Sequence, residues 1–499
     1  MHWRLASQNL LHPWDSLAKS PHFVSRKKVC EHPKRRCNRD KGMGIKTEIA
    51  LPGSKARAKM ITNDAIMVIQ QLLTDPRVHP EDCLFNDKDD PFAPPAADLD
   101  YIADLNTGQS YIETWNRLIT KPNQILCPIL MYIDGAATGQ FVDLPITAVK
   151  IALGIHTRVA REKPYLWGTL GYLPEPTKVK SGGMRQLVNS GHHDGTIPYF
   201  EMLDNEGQVR KDEAKRGQKQ GQIDDVSKTD ALQKAIDLHA MLDHILAGLV
   251  KLQKEGLTWD LIYNGRSFPG VEFVFFVPFI RCDTDEADKL CGAYTNRTWN
   301  VAQLCRYCMC PTLQSDNIRA KYKKKTPKII GKLVKRQDKE GLKKLSQQNL
   351  HNAFYKVRFG LHTDQGVHGA CPLEVLHAIL LGHFPHIRNA FFKRIGEDSR
   401  SAKTLNNLAS EYGRLLSRQR DRDMPKTKFA GGIRRGKLMA KEYVGILLVL
   451  LITIKSPHGQ KIMAHRGPYF RDQRNVKDWI MLIETSLQWY EWLQSTEMP

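Results

Sequence analysis

Two short apolar runs, each closed by an aspartate, constrain this chain more than any other feature. Ile125–Ile133 (ILCPILMYI) ends at Asp134, and Val271–Ile280 (VEFVFFVPFI) ends three residues before Asp283. Short runs rich in Ile, Val and Phe read as buried strands. A carboxylate just past a buried strand sits at the rim of a sheet. Two such carboxylates on neighbouring strands can share divalent metal, the arrangement that in-line phosphoryl chemistry needs.

A chain of 499 residues is long enough for two or three cores, so several domains are expected. Its 74 Lys and Arg stand against 53 Asp and Glu, a net charge of +21 with a pI near 9.5. That balance favours a polyanionic partner, above all nucleic acid, although a solvated basic surface also produces it. The longest apolar stretch, Tyr443–Ile454, falls short of the roughly 18–20 residues that cross a bilayer, so it reads as a core helix and no membrane partner is expected. The N-terminus lacks a basic start followed by a compact apolar core, so no secretory signal is read there. Ten cysteines are too sparse for a disulfide scaffold, and the Cys305-Arg-Tyr-Cys308 pair points to metal in a reducing compartment.

Residues 1–85 read as a basic, largely irregular region. Cys30 and Cys37 fit no common zinc module there, and the basic cluster can serve as a nuclear address. Residues 86–300 hold the first part of an α/β core. Tyr101–Thr120 reads as a strand or turn and then a helix, Phe141–Ile155 as two strands and Thr169–Leu173 as one more. A polar excursion near 203–228 precedes a helix over Asp230–Gln253, where Leu232, Ile236, Leu242, Ile245 and Leu249 recur at helical spacing. Residues 301–430 read as a basic, partly helical, zinc-bearing insertion, and 431–499 as a core helix and tail.

Between Arg319 and Lys344 there are twelve Lys and Arg against two acidic residues. This is either a DNA-backbone contact surface, with Lys323, Lys324 and Lys325 at its centre, or a solvated helical excursion. Cys305 and Cys308 have the gap that lets one turn present two thiolates to Zn²⁺. The remaining ligands must come from the histidines at 362, 368, 377, 383 and 386. His377 and His386 are favoured, with His383 as the alternate. The plain alternative is free core cysteines and incidental histidines.

Strand–Asp134, strand–Asp283 and helix–Glu442, in that order, is the carboxylate layout of RNase H-like phosphoryl transferases, which hold two Mg²⁺ or Mn²⁺ ions. Glu374 is the rival third carboxylate, because it precedes His377 by three residues and can share a helical face with it. Taken singly, each acid also fits a cap or a surface carboxylate.

Together these segments resemble the Plavaka group of CACTA-type DNA transposases. The blocks that carry the resemblance are Leu105-Asn-Thr-Gly108 with the run to Asp134, Leu144-Pro145 with Ile151–Ile155, Arg161–Pro164 and Leu170–Pro174. They continue through Phe279–Glu286, Cys305–Cys308, Pro372–His377 with Gly382, and Phe429–Ile433 with Lys441 and Glu442. Cys282 stands where the family has glycine before the second aspartate. The resemblance spans roughly residues 85–455. It implies an α/β fold with an RNase H-like catalytic core, a mixed sheet with flanking helices, interrupted by a partly helical zinc-bearing insertion. It also implies the triad Asp134, Asp283 and Glu442, two Mg²⁺ or Mn²⁺ ions, and one structural Zn²⁺. Double-stranded DNA, as transposon ends and target, is the implied partner, bound by a homo-oligomer in the nucleus. A catalytically inactive, domesticated DNA-binding protein of the same fold is the alternative, and a plain nuclease a third.

Overall fold

In the computed structural model of the chain, the alternating sequences IKTEIAL and ARAKMIT form an antiparallel hairpin of β1 (Ile45–Leu51) and β2 (Ala56–Thr62). The structure describes residues 44–96, 103–137, 145–174, 220–295, 301–317, 319–360, 364–396, 400–417, 433, 438, 440, 442–465 and 468–494. They fall into two compact units that divide after Pro372.

In the N-terminal unit, the hairpin leads into α1 (Ala65–Leu73), capped by Asp64, whose carboxylate accepts the Met67 N–H. A second helix, α2 (Gln109–Leu118), precedes β3 (Gln124–Ala137). β3 is the first apolar run. Ile125 through Leu126, Cys127, Ile129, Leu130, Met131, Tyr132 and Ile133 are all buried, so both of its faces are covered, as a central strand requires. β4 (Pro145–Leu153) runs antiparallel to it, from Ile129 opposite Leu153 to Ala137 opposite Pro145. β5 (Gly168–Pro174) pairs antiparallel with both β4 and β2.

The long helix α3 (Gln220–Glu255) follows, then β6 (Leu257–Tyr263), β7 (Arg266–Phe276) and the short β8 (Ile280–Arg281). The sheet order is β1-β2-β5-β4-β3-β7-β6, with β8 also beside β3. β7 and β8 take successive stretches of one edge of β3, both parallel to it. Gln124–Pro128 pairs with Glu272–Phe276, and Met131–Tyr132 with Ile280–Arg281. α1 and α3 cover one face through Val68, Leu242, Ile245 and Leu249, whereas Tyr111 of α2 packs on Leu126 and Phe276 from the other. Gly168 permits the close approach of α1, because a Cβ there would run into Val68 Cγ1. Asp237 of α3 clamps the hairpin turn, accepting the N–H groups of Gly53 (2.7 Å) and Ser54 (3.1 Å).

After β8 come α4 (Thr284–Leu290), α5 (Pro327–Lys335), α6 (Lys339–Lys344) and the single turn α7 (Val367–Ala370). The C-terminal unit is helical. It contains α8 (Phe384–Ile395), α9 (Arg400–Ser417), α10 (Glu442–Lys455), α11 (Pro457–Ala464) and α12 (Gln473–Gln494). Phe384, Phe391, Leu405, Ile446, Leu450, Met463 and Ile483 form its core. α10 is apolar on nearly every side because it runs through that core. No helix is long and apolar enough to cross a membrane among the described residues.

The chain is thus a mixed α/β protein with a mixed sheet and flanking helices. Several elements differ from expectation. The stretch read as irregular up to residue 85 contains β1, β2 and α1. Where two strands were expected in 141–155, the described residues hold one, β4, and 141–144 lie outside them. The end of the polar excursion belongs to α3, which begins at Gln220. Cys30, Cys37 and His362 lie outside the described residues.

Candidate functional site

β3 and β8 run parallel with Tyr132 opposite Arg281. Asp134 and Asp283 each follow two residues later; Asp134 still lies within β3, opposite Ala148 of β4, whereas Asp283 stands just past the carboxyl end of β8. Tyr132 and Asp134 share a face at period two, and the Tyr132 hydroxyl donates to Asp134 Oδ2 at 2.7 Å. Tyr132 is itself held by the edge of Trp167, with ring centroids 6.1 Å apart, and by the Arg281 guanidinium 6.0 Å above its ring. Asp283 keeps extended backbone and caps α4, its Oδ1 accepting the Glu286 N–H at 2.6 Å. Glu286 in turn receives Lys289 Nζ at 2.9 Å.

The two candidate third carboxylates belong to the C-terminal unit. Glu442 opens α10 and is buried, at 2% exposure, rather than solvated as a first-turn acid ordinarily is. Glu374 accepts the N–H groups of Leu376 (2.9 Å) and His377 (2.6 Å), and its carboxylate also contacts His377 Nδ1. The expected i, i+3 pairing of Glu374 with His377 is therefore present.

Cys305 and Cys308 are half-buried, and their thiols lie within hydrogen-bonding reach of each other; burial, first of all, pushes the Cys308 thiol up. The turn between them is pinned by a short antiparallel pairing. Met309 N–H donates to the Lys323 carbonyl at 2.8 Å, and Lys325 N–H donates to the Tyr307 carbonyl at 2.9 Å. That pairing corrects the expectation for the lysine triplet. Lys323 and Lys324 are exposed, whereas Lys325 is 1% exposed and donates from Nζ to the Leu345 carbonyl at 2.8 Å. Burial pushes its amine down to about 8. Lys325 is an internal donor, not a surface phosphate contact. The other eleven cations from Arg319 to Lys344 are exposed, along α5, α6 and the segment before them.

His377, His383 and His386 lie in the C-terminal unit, and Cys305 and Cys308 in the N-terminal one. His377 and His386 are exposed. His383 Nε2 meets Ser486 Oγ at 3.0 Å and its ring stands edge-on to Trp489, so it also serves the packing of that unit. Among the described residues no group of three or more His, Cys, Asp or Glu side chains stands ready-formed as a metal site.

Sequence reasoning missed the interior of the N-terminal unit. Arg306, inside the Cys305–Cys308 turn, forms a buried ion pair with Asp288 of α4, Nε to Oδ1 at 3.4 Å, both side chains at most 2% exposed. Cys282, Cys291, Cys371 and His368 gather beside it. Contact with Cys371, then with His368, holds the Cys291 thiol well below its ordinary range against the effect of burial. Contact with Cys282 and Cys291 pushes Cys371 well above it. The only local signal was the His368-x2-Cys371 spacing, because the other two cysteines lie far away in sequence.

No family model matches the chain, and no curated protein matches it.

Proposed function

We propose that the chain is a transposable-element-derived DNA transposase with an RNase H-like core, cleaving and joining DNA strands at divalent metal held by Asp134, Asp283 and a third carboxylate. One observation carries this reading. The parallel register of β3 and β8 sets Tyr132 opposite Arg281, each two residues before its aspartate, and neighbouring strands run roughly 4.8 Å apart. Two carboxylates so arranged offer the hard oxygen donors that Mg²⁺ or Mn²⁺ prefers. Such ions, when bound, activate the attacking hydroxyl and stabilise the leaving oxygen.

The chain's own residues prepare that site. Tyr132 orients Asp134 through its hydroxyl, and the α4 cap fixes Asp283. Glu442 is favoured as the third carboxylate because it opens the apolar helix α10 beyond the histidine cluster, with Glu374 as its alternate. Cys305 and Cys308 fit one half of a structural zinc site, and His377 with His386, or His383, would supply the other half. The exposed cations of α5 and α6 suit DNA phosphates, most naturally as a homo-oligomer gripping element ends and target in the nucleus.

The test is Mg²⁺- or Mn²⁺-dependent nicking of DNA taken from the flanks of the gene. The wild type should nick, and Asp134→Ala and Asp283→Ala should each lose the activity altogether. Equal nicking by the wild type and Asp134→Ala would remove the catalytic reading. A non-catalytic DNA-binding protein of the same fold would then remain, because the basic face of α5 and α6 does not depend on the aspartates.

A further inference from the structure

The N-terminal unit buries four metal-ligating side chains that the proposed chemistry does not use. Cys282 follows β8, Cys291 caps the end of α4, and His368 and Cys371 lie within and just after α7. Their exposures are 4%, 0%, 0% and 0%. They touch in a chain. Cys371 lies beside Cys282 and Cys291, and Cys291 beside the His368 imidazole, while the Cys282 and Cys291 thiols donate to the carbonyls of Ile280 (3.8 Å) and Val367 (3.6 Å). All three cysteines are free thiols.

We propose that Cys282, Cys291, Cys371 and His368 form a buried Cys3His site for a thiophilic divalent ion, zinc above all, separate from the Cys305–Cys308 turn. The four side chains are not yet gathered around one point; a chain of thiol contacts is their protonated arrangement. Zinc–sulfur bonds of about 2.3 Å at tetrahedral angles separate the sulfurs by about 3.8 Å, within the reach of a thiol–thiol hydrogen bond.

Two buried polar groups support the assignment. The first is His368. Its Nε2 meets the Tyr355 hydroxyl at 3.2 Å, while its Nδ1 is buried without a hydrogen-bond partner. A ligating histidine is ordinarily held in this way, one ring nitrogen on an outer partner and the other directed to the metal. The second is Arg306. Its Nη1 and Nη2 are buried and lack hydrogen-bond partners, although the guanidinium lies beside Cys291 and Cys371. Binding converts Zn²⁺, three thiols and a neutral imidazole into a centre of net charge −1, and releases three protons. Thiolate sulfurs bearing that charge would satisfy the Arg306 donors, which neutral thiols do poorly. The ion would staple α4, whose cap is Asp283, to α7.

The test uses the full chain carrying Cys305→Ser and Cys308→Ser, so that the other candidate zinc cannot contribute. After reconstitution with zinc, about one equivalent per chain should remain by elemental analysis. X-ray absorption should show three sulfurs at about 2.3 Å and one nitrogen at about 2.0–2.1 Å. Cobalt(II) in its place should give intense visible bands with thiolate charge transfer. Adding Cys371→Ser or His368→Gln should weaken binding at least tenfold. The absorption measurement requires neither added variant, so the proposal stays testable if one of them fails to fold. A metal-free double variant, or a centre without three sulfurs, would overturn the proposal. Zinc that disappears with Cys305 and Cys308 but survives Cys371→Ser would also overturn it, while supporting the other site.

Discussion

Replacing Arg306 by Met should loosen α4 far more than any surface change can. The pair it forms with Asp288 lies at 3.4 Å with both side chains at most 2% exposed. At an effective dielectric constant of about 20 the attraction is about 5 kcal/mol, opposed by the cost of dehydrating both charges. The net value of such a pair is therefore small. Removing one member is different, because the Asp288 carboxylate stays buried without its cation, at a cost of about 3–5 kcal/mol. The assay is native-state hydrogen exchange at Cys291 and Ala293, whose N–H groups donate to the carbonyls of Ala287 (3.0 Å) and Asp288 (2.8 Å). At about 1.4 kcal/mol per tenfold change, Arg306→Met should speed their exchange by roughly two to four orders of magnitude. The double variant Arg306→Met/Asp288→Leu should return most of that protection, since a well-packed apolar pair replaces a buried ion pair at little cost. Exchange in Arg306→Met within tenfold of wild type would refute the reasoning.

Two further expectations rest on buried or exposed charge. His239 is fully buried between the Lys289 carbonyl and the Ala353 N–H, and burial lowers its pKa to about 4 from the ordinary 6.5. Between those values the unfolded chain binds more protons than the folded one. Stability should therefore be complete above pH 6.5 and fall as pH drops toward 4, by about 3 kcal/mol at most. Urea midpoints of the N-terminal unit followed across that window should fall less in His239→Gln, and an equal fall would refute the assignment. For DNA, Lys323→Gln with Lys324→Gln should reduce the slope of log affinity against log salt by about 1.8, since each phosphate contact contributes about 0.9. Lys325→Gln should leave that slope unchanged, and an equal effect of all three would contradict the inward placing of Lys325.

The elements that could be read from the sequence were those whose signal is local. β3 and β7 are short apolar runs, α10 is apolar throughout, and α3 repeats its leucines at helical spacing. The hairpin β1–β2 was hidden because it lies toward the sheet margin, where each strand buries only part of one face and carries lysine, arginine and glutamate on the other. Lys325 was misjudged for a related reason. A charge run carries no sign of which member a strand pairing will turn inward. The gathering of Cys282, Cys291, His368 and Cys371 could not be read at all, because it depends on β8, α4 and α7 meeting in space. Asp283 was read correctly as an acid just past a strand, whereas β3 runs on beyond Asp134 to Ala137; that the two stand on neighbouring strands follows from a register between segments far apart in the chain.

That register also governs how the protein can be made. Gln124 of β3 meets Glu272 of β7 across 148 residues of chain. At about 5–20 residues per second, a ribosome needs roughly 7–30 s to supply the second after the first. Once β4 is made, the most apolar strand of the sheet has it on one side and an open edge on the other until β7 arrives. Such an edge invites pairing with another nascent chain. Holdase chaperones should engage this protein during synthesis, and shortening the chain between β5 and α3 should lessen its need for them.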